Sequence, residues 1–108
     1  MELPKGFDPL LHPPARLQIA SVLARVSEAE FSRLRTITGA SDSVLSKHLS
    51  TLNEAGHVNI RKANLDGRQR TWASLTRSGR AALDAHVAAL HSIIGTDSEV
   101  PKPRPPRA

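Results

Sequence analysis

Cysteine is absent from this 108-residue chain, which excludes a disulfide framework, a thiolate metal site, a cysteine nucleophile and cysteine-based redox sensing. Aromatic side chains are scarce. Phe7, Phe31 and Trp72 are the whole set, so the core falls to Leu, Ile, Val and Ala, a composition that favours helices. No run approaches the roughly 20 apolar residues that cross a bilayer, and Met1 to Asp8 carries charges without the apolar segment of a secretory signal. A cytoplasmic protein without a membrane partner is expected. Paired carboxylates, a nucleophile held by a base and a phosphate-cradling glycine loop are all missing, so the chain reads as non-enzymatic and without a cofactor.

Positive charge, by contrast, is plentiful. Fifteen Lys and Arg against ten Asp and Glu leave a net +5, which points to a polyanionic partner. The length suits one modest core. Residues 1–7 read as an N-terminal extension, 8–95 as the folded domain, and 96–108 as a Pro- and basic-rich tail. That tail ends Pro101-Lys-Pro-Arg-Pro-Pro-Arg-Ala108, which can form neither helix nor ladder.

Within the domain, Pro13 to Val26 opens with prolines suited to a first helical turn and places Ala15, Ile19, Val22 and Val26 on one stripe. Ser27 and Glu30 have the spacing of a capping box, predicting a short helix through Phe31, Leu34 and Ile37 that stops at Gly39. Ser41 or Asp42 can cap a third helix, and Gly56 can end it. Val58–Lys62 alternates as a half-buried strand does, and Arg70–Leu75 can pair with it across the loop Ala63–Arg70, which contains Asp66-Gly67. A last helix follows Thr76, with Leu83, Val87, Leu90 and Ile94 on one stripe and Ala82, His86, Ala89 and Ile93 on another.

This order defines the expected fold class: mainly α with a small β-hairpin, a winged helix-turn-helix of three-helix core, wing and C-terminal dimerisation helix. On the third helix Leu45, Leu49 and Leu52 repeat at i, i+4, i+7 and face inward, which turns Ser43, Ser46, Lys47 and Ser50 outward. Small hydroxyls with one lysine suit a major groove, because Ser exchanges hydrogen bonds with base edges and Lys reaches guanine acceptors or phosphate. Ser41 joins this set at the helix start, and His48 either contacts DNA or packs. Arg61, Lys62, Arg68 and Arg70 gather around the hairpin tip, where a basic wing can straddle a phosphate ridge or enter the minor groove. The histidines offer no chelating spacing, so no metal is expected; His86 and His91 read as interface or surface residues.

The run Leu45-Ser-Lys-His-Leu49, Leu52, Ala55-Gly56, then Leu75-Thr76 and Gly79-Arg80, resembles the small single-domain relatives of the MarR and ArsR transcriptional regulators. That resemblance implies a homodimer on a pseudo-palindromic double-stranded operator, most often with repression. The chain departs from it by lacking long terminal dimerisation helices and metal-sensing cysteines, so it names no small-molecule effector. Apolar breadth on the first and last helices exceeds what one small core needs, which assigns Leu17, Leu83, Val87, Leu90 and Ile94 to a symmetric interface. Two other uses of the fold are a protein-interaction module and a nonspecific architectural DNA binder.

Overall fold

The computed structural model describes residues 2–95, and the expected tail lies outside them. Seven elements follow one another: α1 (Pro14–Leu23), β1 (Ala29–Glu30), α2 (Phe31–Thr38), α3 (Asp42–Glu54), β2 (Val58–Leu65), β3 (Arg68–Leu75) and α4 (Arg77–Ile94). The strands form one antiparallel sheet in the order β1-β3-β2. Ile19, Leu23, Leu34, Leu45, Leu49, Leu52, Val58 and Ala73 meet in a single core under that sheet.

Proline starts α1 as expected, since its missing N–H costs nothing in the first turn. The helix is shorter than predicted. Ala24 closes it by donating to the Ala20 carbonyl, so Val26 falls outside it at 42% exposure, and the buried line is Ile19, Ala20 and Leu23.

The capping box at Ser27–Glu30 is not formed. Ala29 and Glu30 are extended and pair with Ala73 and Trp72, and no side chain caps α2. Pairing wins over capping because it satisfies two backbone groups on the edge of β3 and buries Ala29 in the core.

The hairpin is longer than the sequence suggested. Asp66 (φ 53°) and Gly67 (φ 75°) both take the left-handed conformation that a two-residue hairpin turn needs. Pairing therefore runs without interruption from Val58↔Leu75 to Leu65↔Arg68, and the predicted loop Ala63–Arg70 is almost all strand.

Thr76 caps α4, its hydroxyl accepting from Gly79 N–H at 2.8 Å, and left-handed Gly95 ends it. The buried line of α4 is Gly79, Leu83, His86 and Ala89, drawn from both predicted stripes. Two assignments change as a result. Leu83, placed in a dimer interface from the sequence, is 5% exposed and belongs to the chain's own core. His86, read as an interface or surface residue, is wholly buried. Leu17 and Val87 lean on the core, Leu90 is half-buried, and Ile94 stands 67% exposed at the helix end. Residues before Asp8 also lie against α4: Phe7 packs edge-on against His86, and the backbone at Gly6 lies close against Ala85.

Candidate nucleic-acid interface

Helix α2 hands over to α3 through a turn closed by its own hydrogen bonds. Gly39 is left-handed (φ 70°) and donates to the Arg35 carbonyl, the Thr38 hydroxyl accepts from Ala40 N–H, and the Ser41 hydroxyl accepts from Val44 N–H. Asp42 sits in the first turn of α3, where the helix dipole favours a carboxylate, and pairs with Arg35 at 2.8 Å. The two helices thus enter the site at a fixed angle.

Along α3 the leucines divide the surface. Leu45, Leu49 and Leu52 are buried, while Ser41, Ser43, Ser46, Lys47 and Ser50 are exposed. Val44 is exposed as well, at 46%, between the serines. Sequence reasoning passed over it, though a β-branched apolar residue at the edge of a polar helix face was the available signal. His48 is half-buried, and burial first, then the Arg16 and Lys47 cations, hold its imidazole below the ordinary value. Its ring is therefore mostly uncharged at neutral pH.

The exit of α3 is clamped. Gly56 (φ 80°) ends the helix, the Asn53 amide donates to the Val58 carbonyl at 2.8 Å, and the Thr76 hydroxyl donates to the Gly56 carbonyl at 2.6 Å. These bonds tie the end of α3 to the sheet and to the start of α4.

The wing cations do not form one patch, contrary to the expectation from their spacing. Side chains alternate across a strand, so Lys62 and its partner Thr71 share the sheet face that looks toward α3, while Arg61, Arg70 and Trp72 share the other. Lys62 and Thr71 line a cleft of about 250 Å3 together with Ser46 and Ser50 of α3, over a floor of Phe31, Leu49 and Ile60. Arg61 instead lies 5.5 Å from the Trp72 ring centre and donates to Glu28 at 2.6 Å and 3.3 Å. Arg70 donates to both carboxylate oxygens of Glu30, at 2.9 and 3.1 Å, and Arg68 is exposed beside the turn. Thr71 was missed from the sequence. The Asp66-Gly67 turn fixes the register that puts it opposite Lys62, so the signal was present.

Among the described residues no group of three His, Asp or Glu side chains is placed to hold a metal ion, and no helix is long and apolar enough to cross a membrane.

A polar helix face on the second member of a helix-turn-helix, next to a two-stranded wing, defines a winged-helix domain of the DNA-binding kind. The chain belongs to that family: the model of the winged helix DNA-binding domain matches residues 15–94. It is 31% identical over 72 residues to an uncharacterized protein of Methanocaldococcus jannaschii, covering 67% of this chain and 78% of that one. Among solved structures it is similar to a transcriptional regulator homologue of Pyrococcus horikoshii OT3, at 27% identity and a TM-score of 0.74, covering 80% of this chain and 85% of the other. It also shares its fold with a protein assigned to the MarR family of transcriptional regulators in Enterococcus faecalis V583, at 22% identity and a TM-score of 0.67, covering 80% and 77% of the two chains.

Proposed function

We propose that the chain is a sequence-specific transcriptional regulator that binds double-stranded DNA as a homodimer and represses. The observation that carries this reading is the division of α3: its leucines are buried and its serines, Val44 and Lys47 are exposed on one continuous face. In a major groove Ser43 and Ser46 exchange hydrogen bonds with base edges, Lys47 reaches guanine acceptors, and Val44 meets a thymine methyl group. Ser41 and Ser50 flank that set at the two ends of the face. Lys62, sharing a cleft with Ser46 and Ser50, holds the phosphate strand beside the groove, and Arg68 reaches it from the turn. Arg61 and Arg70 contribute less, since each already has a carboxylate partner that offsets its charge.

Dimerisation rests on apolar surface left over by the core. Ile93 and Ile94 are exposed at the end of α4, with Leu90 half-buried beside them, and Leu17 and Val87 are only partly covered. A symmetric pair would present its two α3 helices about 34 Å apart, one helical turn of DNA. Selection of bound duplexes from a random pool tests the whole reading, because one enriched palindrome would report specificity, symmetry and spacing together. Binding that falls steeply with salt but prefers no sequence would make the chain an architectural binder, and no binding at low salt would make it a protein-interaction module.

A further inference from the structure

Three ionisable side chains distant in sequence meet on the side of α4 away from its exposed end. His86 is wholly buried, and its Nδ1 accepts a hydrogen bond from the Asp8 backbone N–H at 3.0 Å. Its Nε2 is buried without a partner. The Asp8 carboxylate accepts from Leu10 N–H through one oxygen and lies 3.0 Å from His57 Nε2 through the other. His57 is the residue by which α3 passes into β2, and its carbonyl accepts from the Thr76 amide at 2.9 Å. The segment is seated by more than Asp8. Left-handed Gly6 (φ 92°) lies against Ala85, Phe7 packs on His86 and His12, and Leu11 is buried in the core.

We propose that Gly6–Leu11 is a proton-controlled strap: Asp8 is a positioning residue that joins His86 of α4 to His57 at the exit of α3, and protonation of His86 at Nδ1 releases it. The chemistry is that of a single lone pair. A neutral imidazole with hydrogen on Nε2 offers Nδ1 as an acceptor, whereas the imidazolium carries hydrogen on both nitrogens and would set a donor against the donor of Asp8. The proton comes from solvent, and no bond other than the hydrogen bond is broken. Asp8 and His12 of the N-terminal segment are the titratable groups that act directly on His86, and His57 reaches it through Asp8. Burial first, and then His12, hold His86 below its ordinary value of 6.5. The strapped form therefore binds fewer protons than the released form, so it is favoured above that pH and lost as pH falls.

The strap itself is tested without DNA, by amide hydrogen exchange of the full chain. Below the ordinary histidine value the released form gains by up to about tenfold per pH unit until the depressed value of His86 is reached, so the protection factor of the Asp8 amide is expected to fall between pH ~7.5 and ~5.5. His86→Asn keeps an acceptor near the Nδ1 position and cannot titrate, so its protection should stay level. An equal drop in both proteins, or in neither, overturns the proposal. Should the variant fail to fold, nitrogen chemical shifts of the wild-type imidazole decide the matter, because an Nδ1 that carries hydrogen at neutral pH also overturns it. The coupling to α3 rests on the DNA-binding reading and has its own arm, using a duplex recovered by selection. Affinity that weakens on acidification in the wild type but not in His86→Asn supports the coupling, and an identical pH profile in the two refutes it. Failure to bind any duplex counts against the DNA-binding reading and leaves the strap as the exchange experiment finds it.

Discussion

Gly79→Ala sets helix propensity against packing, and the two predict opposite signs. Glycine inside a helix is about 1 kcal/mol less favourable than alanine, so on propensity the substitution should stabilise α4 by that much. At this position, however, an added Cβ would overlap the His57 carbonyl oxygen and stand 2.8 Å from its carbon and 2.9 Å from its Cα. All three atoms are backbone at the clamped exit of α3, so no side chain can swing aside. Forcing extra volume into a packed site costs about 1–3 kcal/mol. Moving the His57 carbonyl also strains the bond it accepts from the Thr76 amide at 2.9 Å, worth about 1 kcal/mol. Packing should win, leaving a net loss of about 1–3 kcal/mol out of the roughly 5–15 kcal/mol typical of a whole domain. Urea denaturation measures this, with Ala81→Gly as the control for propensity. Ala81 is exposed on the same helix and should lose about 1 kcal/mol. A Gly79→Ala midpoint equal to or above that of the wild type would refute the reasoning.

Other expectations follow from the same contacts. Thr76→Val removes the cap of α4 and the 2.6 Å bond to Gly56, and should lower stability by about 0.5–2 kcal/mol in the same denaturation assay. Lys62→Ala should weaken all DNA about equally and reduce the slope of log affinity against log salt by about one; Arg61→Ala, already paired with Glu28 on the opposite face, should change that slope less, and the reverse ranking would contradict the assigned faces. Lys47→Ala should lose about 1–3 kcal/mol on the selected duplex and relax its sequence preference, whereas equal loss on random duplex would remove Lys47 from the reading set. Because His86 is held below its ordinary value of 6.5, its contribution to folding is present above that pH and shrinks as pH drops toward the depressed value. The urea midpoint of the wild type should fall over that range more than that of His86→Asn.

How much could be read from the residues alone depended on how local the determining physics was. Helix α3 was legible because Ser41, Gly56 and the leucine repeat all act within one segment, and each does in the fold what its chemistry suggested. The wing was legible as a hairpin, but its two faces required treating Asp66-Gly67 as the turn itself rather than as part of a loop. Strand β1 was not legible. Two residues carry no periodicity, and Ala29 is extended only because β3, more than forty residues later, offers it a free edge. The burial of His86 was hidden for a similar reason, since its partner Asp8 is 78 residues away and comes from a segment with no regular structure. Leu83 was assigned to a partner subunit because stripes on a helical wheel cannot tell a second copy from the chain's own core.

The uninterrupted register of the hairpin limits how a wing of this kind can change length. One residue inserted between Ile60 and Lys62 would reverse the parity of everything beyond it up to the turn, sending Lys62 to the Trp72 side and its neighbours toward α3. Two residues, one added to each strand next to the turn, would lengthen the arm and leave every earlier pair in place. Extended or shortened versions of this arm should therefore differ by matched pairs at the tip, and grafts that respect this rule should keep both surfaces in working order.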